Sequence, residues 1–334
     1  MYIQMHIDES RVLPVSHTRS HLINCGLARL APGISRYTLT LSLLAASPTM
    51  IKKQPKMDAV SAEVTAITTR AEKKQVEERV AIGANVVYET IRREGEEELS
   101  RPVAALAWSA FAAGLSMGFS FIAEALLEAR LPDHPWRLLV SRAGYSMGFL
   151  VVILGRQQLF TENTLTVVLP LLARKDWKTF LCMLRLWGVV LAANLLGTFL
   201  FALCIARVPI FDVHTRQCLT EIGAAHLGLG FGNVVVKAVF AGWLIALMVW
   251  LLPAAESARV GIIIIVTYLV GIGGFNHVIA GSTTTFFLVA SGLISWNAYL
   301  SQFLLPTFLG NVIGGVSLVA ALGHAQVAGG KSRI

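Results

Sequence analysis

His277 lies inside a long hydrophobic stretch, Ile262 to Ala290, and no other histidine sits so deep in an apolar segment. An ionisable group at membrane depth is costly and is retained for a task. An imidazole there, with an ordinary pKa of about 6.5, stays mostly neutral yet can lend a proton to a weak-acid anion. Asn276 before it is a suitable helix cap, which would place His277 in the first turn of a half-helix. The positive end of that half-helix attracts an anion and opposes a permanent imidazolium charge. A histidine merely bonded to nearby backbone is the structural alternative; the adjacent helix break favours function.

A second cluster, Leu159, Phe160 and Thr161, interrupts another hydrophobic stretch, Tyr145 to Leu172. Thr161, followed by Glu162 and Asn163, has the make-up of a helix start. Leu159 and Phe160 are apolar where a wet loop would be polar, which suggests a hydrophobic gate, against ordinary packing of the loop on its neighbours. If the two breaks face each other, Thr161 is within reach of His277. Arg156 in the same break offers a fixed charge for an anion, or pairs structurally with Glu162 or Glu124. Lys237 and Arg185 lie nearer span ends, where long basic side chains snorkel; Lys237 could also draw anions into a vestibule.

These residues need a membrane scaffold to position them. Hydrophobic residues make up 55% of the 334, against 14% charged, which excludes an ordinary soluble domain. The net charge of +8 lies beside apolar segments and not on one polar domain, so it points to a membrane and not to nucleic acid. Six hydrophobic segments are expected at about 102–127, 138–172, 178–206, 232–252, 257–293 and 301–322, each above the ~20 residues that cross a bilayer. The second and fifth are broken near their middles, at 155–164 and 271–284. Non-helical backbone at that depth must be buried in protein or line a water-filled path. Each half thus reads unbroken, broken, unbroken. Three spans is an odd number, so the expectation is an all-α inverted 3+3 repeat with a transported-solute site between the breaks.

Loop charge gives orientation. Arg92, Arg93 and Arg101 precede the first span, Arg174, Lys175 and Lys178 follow the second, and Lys331 and Arg333 close the chain, so both termini are expected in the cytoplasm. Residues 1–56 are expected to be a disordered or non-native extension and 57–101 a cytoplasmic amphipathic helical segment, which the stretch Gly95-EEELSRP ends or hands over to the membrane. The channel domain then covers 102–323, and 324–334 form a cytoplasmic tail. The four cysteines show no CxxC spacing and read as apolar filler, and no cofactor is implied.

Arg156-QQLFTENTLTVVLP and Gly274-FNHVIAG resemble the two broken-helix signatures of the formate/nitrite transporter family, in the form of its divergent inner-membrane branch. Arg185-LWGVVLAANLLGT and Pro306-TFLGNVIGG fit the same pattern, and the resemblance covers about two-thirds of the chain. It implies an aquaporin-like homopentamer in the inner membrane, one pore per protomer, conducting small monovalent anions such as formate, nitrite or acetate. By motif, Leu159, Phe160 and Thr161 would form the gating loop and His277 the central pore histidine. Well-known members carry Glu where this chain has Asn276, and Asn where it has Gly281 and Ala246. At the constrictions Tyr145 replaces Phe, Phe149 replaces Leu and Val270 replaces Phe, which implies altered selectivity.

Three competing functions remain at this stage. A neutral-solute pore shares the architecture. A transport-inactive scaffold would act through residues 59–99. An intramembrane hydrolase would pair Ser282 or Thr283 with His277.

Overall fold

The computed structural model describes residues 83–318; the expectations for 1–56, for 57–82 and for the tail lie outside them. The described residues all lie within one compact unit. Helix α1 runs from Ala84 to Ser100 and buries Val87, Ile91, Gly95 and Leu99, a stripe at helical spacing. The helix runs through Gly95 and ends at Ser100. The helix continues because Gly95 faces the backbone of Thr166, where a Cβ would collide with a carbonyl oxygen. On the outer face, Arg92 and Arg93 donate to Glu89 and hold its carboxyl far below the usual range, at about 2.

The first span, α2, is Val103–Arg130. The second begins with α3 (Arg137–Ser141), passes through a 3-10 turn at Arg142–Tyr145 and continues as α4 (Ser146–Leu154). After a break it resumes as α5 (Phe160–Thr166) and α6 (Val168–Arg174). The third span is α7, Trp177–Arg207, and α8 (Val213–Ala224) follows in a stretch that hydropathy alone left as a loop. Both α7 and α8 start at an aspartate, Asp176 and Asp212, each accepting the N–H and hydroxyl of a threonine three residues on. Those bonds lower both carboxyl pKa values, so the capping stability is present at neutral pH and lost as pH falls through the lowered values.

The fourth span is α9 (Phe231–Leu251); the fifth is α10 (Arg259–Ile272), a break, then α11 (Val278–Ala290). The last comprises α12 (Trp296–Ala298), a π-helical turn at Tyr299–Leu304, and α13 (Leu305–Leu318). Among the described residues five helices are long and apolar enough to cross a membrane. The fifth hydrophobic segment is divided by its break into helices of 14 and 13 residues, so neither crosses alone.

The two halves use the same arrangement. α2 packs along α7, and α9 packs along α13. The second piece of each broken span crosses into the other half: α5 packs on α9 and α13, and α11 on α2 and α7. Close approach is permitted by Gly114 and Gly242, where a Cβ would strike the carbonyl oxygens of Asn194 and Asn311.

Both breaks are built alike. α4 ends with Arg156 N–H on Ile153 O and Gln157 N–H on Val152 O, while α10 ends with Gly274 N–H on Gly271 O and Phe275 N–H on Val270 O. This is the helix stop that requires a left-handed residue, supplied by Arg156 at φ 48° and Gly274 at φ 56°. The chain then runs extended to the next helix start, where one asparagine per break takes over the unpaired backbone. Asn194 accepts from Phe160 N–H and donates to Gln158 O and Ala110 O, at 2.9, 2.9 and 2.7 Å. Asn311 accepts from Val278 N–H and donates to Asn276 O and Ala238 O, each at 2.8 Å.

Each asparagine makes three buried bonds, and each such bond is worth about 1 kcal/mol between membrane helices. Asn194→Ala and Asn311→Ala should therefore each destabilise the protein by about 3 kcal/mol, read from thermal unfolding of the detergent-solubilised chain. Shifts under about 0.5 kcal/mol would mean that packing alone holds the breaks.

Candidate functional site

The two helix starts meet at the centre. Thr161 Oγ1 lies 2.7 Å from His277 Nε2, and the two residues are 0% and 1% exposed. The sequence expectation placed Asn276 as cap and His277 in the first turn; the structure corrects this, since His277 itself is the N-cap of α11. Its extended backbone turns the ring back over the helix end, and Nδ1 accepts from Ile279 N–H and Ala280 N–H at 3.3 and 3.2 Å. A nitrogen that accepts carries no hydrogen, so the proton of the neutral ring sits on Nε2 and is donated to Thr161. Adding a second proton at Nδ1 would break both capping bonds. His277 is thus held as a hydrogen-bond donor and not as a store of exchangeable protons.

The residues expected at constrictions stack on this pair. Phe149 presents its edge to His277, with ring centroids 5.1 Å apart, and Tyr145 tilts against Phe149 at 5.3 Å. Val270 and Leu159 complete the buried apolar wall. Phe160, at the first position of α5, stacks on Phe308 and meets Trp187 edge-on. Leu159 and Phe160 are both fully buried.

On the α1 side the column ends at a cavity of about 800 Å³ between α1, the first break and the end of α9. The lining of this cavity is mixed in charge and not basic. Glu94, Glu97, Glu98, Glu162 and Glu256 line the cavity against Arg101, Arg156 and Arg259. The hydropathy of the spans could not foresee it, because the acidic face belongs to a helix that folds across the opening. Arg156 is exposed in this cavity and makes no ion pair among the described residues; Glu124 is paired instead with Arg142 at 3.1 Å. Arg185 donates to Leu99 O at 2.7 Å, fastening α1 to α7.

At the second break, Lys237 Nζ stands 3.6 Å from where a Cβ on Gly274 would be, and His226, in the turn after α8, places Nδ1 3.0 Å from Asn276 Oδ1. Sequence reasoning passed over His226 because its Ala-Ala-His-Leu-Gly context has no helical periodicity and lies 50 residues from its partner. The absent side chain at Gly281 is filled by the ring of Phe303, and Ala246 is buried among Leu165 and Leu169. The hydrolase reading loses its geometry: Ser282 Oγ bonds Val278 O and Tyr299, and Thr283 bonds Ile279 O, with neither on His277.

Two substitutions probe this arrangement. Thr161→Val keeps the shape but strands a buried Nε2–H, and should cost about 1–3 kcal/mol in thermal unfolding. Arg156→Gly removes a left-handed L-residue and should raise stability by about 1 kcal/mol, an effect that Arg156→Ala should lack.

The formate/nitrite transporter family model matches residues 85–325. Inner membrane protein YfdC of Escherichia coli (strain K12) is 41% identical over 251 residues, covering 75% of this chain and 81% of that protein. Among solved structures, an FNT family ion channel superposes with TM-score 0.62 at 21% identity, over 73% of this chain and 98% of its own. A pentameric formate channel with formate bound gives 0.59 at 20% identity, over 68% and 98%. An all-helical fold with apolar helices of spanning length, two matched breaks and a buried Thr161–His277 contact, together with a family match over most of the chain, makes this protein a member of the formate/nitrite transporter family, whose members are channels and transporters and not enzymes.

Proposed function

We propose that this chain is a pH-dependent channel for small monovalent anions of the formate, nitrite or acetate type, with His277 at the centre of the pore. The observation that carries the reading is the 2.7 Å contact between Thr161 and His277, where the starts of two half-helices meet inside an apolar wall. An acceptor oxygen arriving there takes over the Nε2–H that Thr161 now receives. The helix starts favour negative charge, whereas the Tyr145–Phe149–Leu159–Val270 wall penalises it. A weak acid resolves the conflict by taking a proton from water in the vestibule, crossing the wall neutral and releasing the proton on the far side. Because His277 has no free site for a second proton, it orients the solute and the water supplies the proton. The bound formate of the pentameric relative fits this substrate class.

The same reading makes the protein a multi-pass protein of the inner membrane, as the name of its Escherichia coli relative suggests, and a homopentamer, as in the formate channel it resembles in fold. The two halves form an inverted repeat, supported by the exchange of α5 and α11 between them. The α1 cavity then faces the cytoplasm. Its glutamates hold back multiply charged anions, while Arg156 and Arg259 retain a local attraction for a single charge.

The test is uptake of formate, acetate, nitrite and water into proteoliposomes. Carboxylate uptake should rise as pH is lowered, by up to about tenfold per unit, following the protonated fraction of an acid with a pKa of about 4. His277→Ala should reduce that uptake about tenfold or more, because it removes both the donor and the cap of α11. Unchanged flux and pH profile in His277→Ala would sink the mechanism, and water flux without anion flux would favour the neutral pore.

A further inference from the structure

Asn276 carries a feature that the packing leaves unexplained. The residue is fully buried, yet its Nδ2 has no hydrogen-bond partner among the described residues. Its other side-chain atom, Oδ1, is engaged by His226 Nδ1, and its backbone carbonyl by Asn311. An amide oxygen only accepts, so His226 donates Nδ1–H, and that bond fixes which way the amide faces. Without it the two ends of the amide are nearly equivalent in shape and the group can turn over. A buried N–H left unmade costs about 1–3 kcal/mol, so it is retained only if another group uses it. Lys237 stands beside the same break, and His277, the pore donor, is the next residue along the chain.

We infer that Asn276 Nδ2–H is a recognition donor for the oxygen of a small monovalent anion approaching His277, and that His226 is the positioning residue that holds the amide in the donating orientation. This rests on the channel reading above and adds two residues to it. The ligand class follows from the chemistry: a buried N–H takes an acceptor, and the nearby ammonium of Lys237 favours an anionic one. Phe303 packs against the His226 ring, with centroids 5.8 Å apart, and limits where the imidazole can sit. The role is distinct from that of His277, because His226 reaches the solute only through Asn276.

The test is the concentration dependence of ¹⁴C-formate uptake in proteoliposomes of the full chain. His226→Ala and Asn276→Ala should each raise KM about tenfold with maximal flux little changed, the loss expected for one hydrogen bond. The double variant should be no worse than Asn276→Ala alone, and His226→Asn, whose Nδ2 sits the same number of bonds from the backbone as the imidazole Nδ1 and can still donate to Asn276 Oδ1, should restore the wild-type KM. Should the alanine variants aggregate on size exclusion, His226→Asn against His226→Gln carries the comparison, since the longer amide places its N–H one bond beyond the position of Nδ1. Effects that multiply in the double variant would overturn the positioning role. Wild-type uptake with both single variants unchanged would overturn the inference and leave the channel reading standing. Wild-type liposomes that take up no anion would overturn both.

Discussion

Two asparagine side chains make the rest of this structure possible. A chain that leaves its helix within an apolar layer exposes N–H and C=O groups that lipid cannot satisfy. Asn194 and Asn311 each accept the first N–H of the resuming helix and clamp the extended backbone and a neighbouring span. The amide suits this task because it offers an acceptor and two donors on one planar group without a charge. Replacing that amide by an apolar group leaves three backbone groups stranded at once. With the breaks secured, the starts of α5 and α11 can be brought together, and Thr161 and His277 meet.

The repeated construction also accounts for an oddity. Arg156 occupies a left-handed backbone position that glycine fills in the other half, as Gly274. The strain of order 1 kcal/mol is tolerated because the helix stop, the asparagine and the packing of α5 over-determine the geometry. What Arg156 gains is a side chain projecting into the α1 cavity, among glutamates, where glycine would leave none. The two breaks therefore differ in chemistry although their backbones match. One combines acidic and basic groups across a wide cavity; the other brings Lys237, His226 and Asn276 to the break.

The histidine illustrates how small backbone differences decide chemistry. One residue earlier or later in the helix, His277 would have had both ring nitrogens available. As the N-cap it spends Nδ1 on the helix end, which fixes the tautomer and leaves a single outward N–H. A histidine held this way presents one N–H, which Thr161 receives.

Hydropathy and the two polar interruptions determined the membrane class, the number of hydrophobic segments and the positions of the breaks, because lipid imposes those constraints on the sequence residue by residue. Thr161, His277, Phe149, Tyr145 and Leu159 were named from motif and converge in one buried column. What the sequence left open depended on long-range contact. That His277 and not Asn276 caps α11 follows from a backbone angle of φ −104°, ψ 126° at one position. That Glu124 pairs with Arg142 and not Arg156 follows from how α2 lies beside the 3-10 turn. The acidic cavity exists only because α1 folds across the first break, and the His226–Asn276 contact joins residues 50 apart. Local composition reports what each segment can bury; partners across the fold are chosen by packing, and only the assembled helices contain that information.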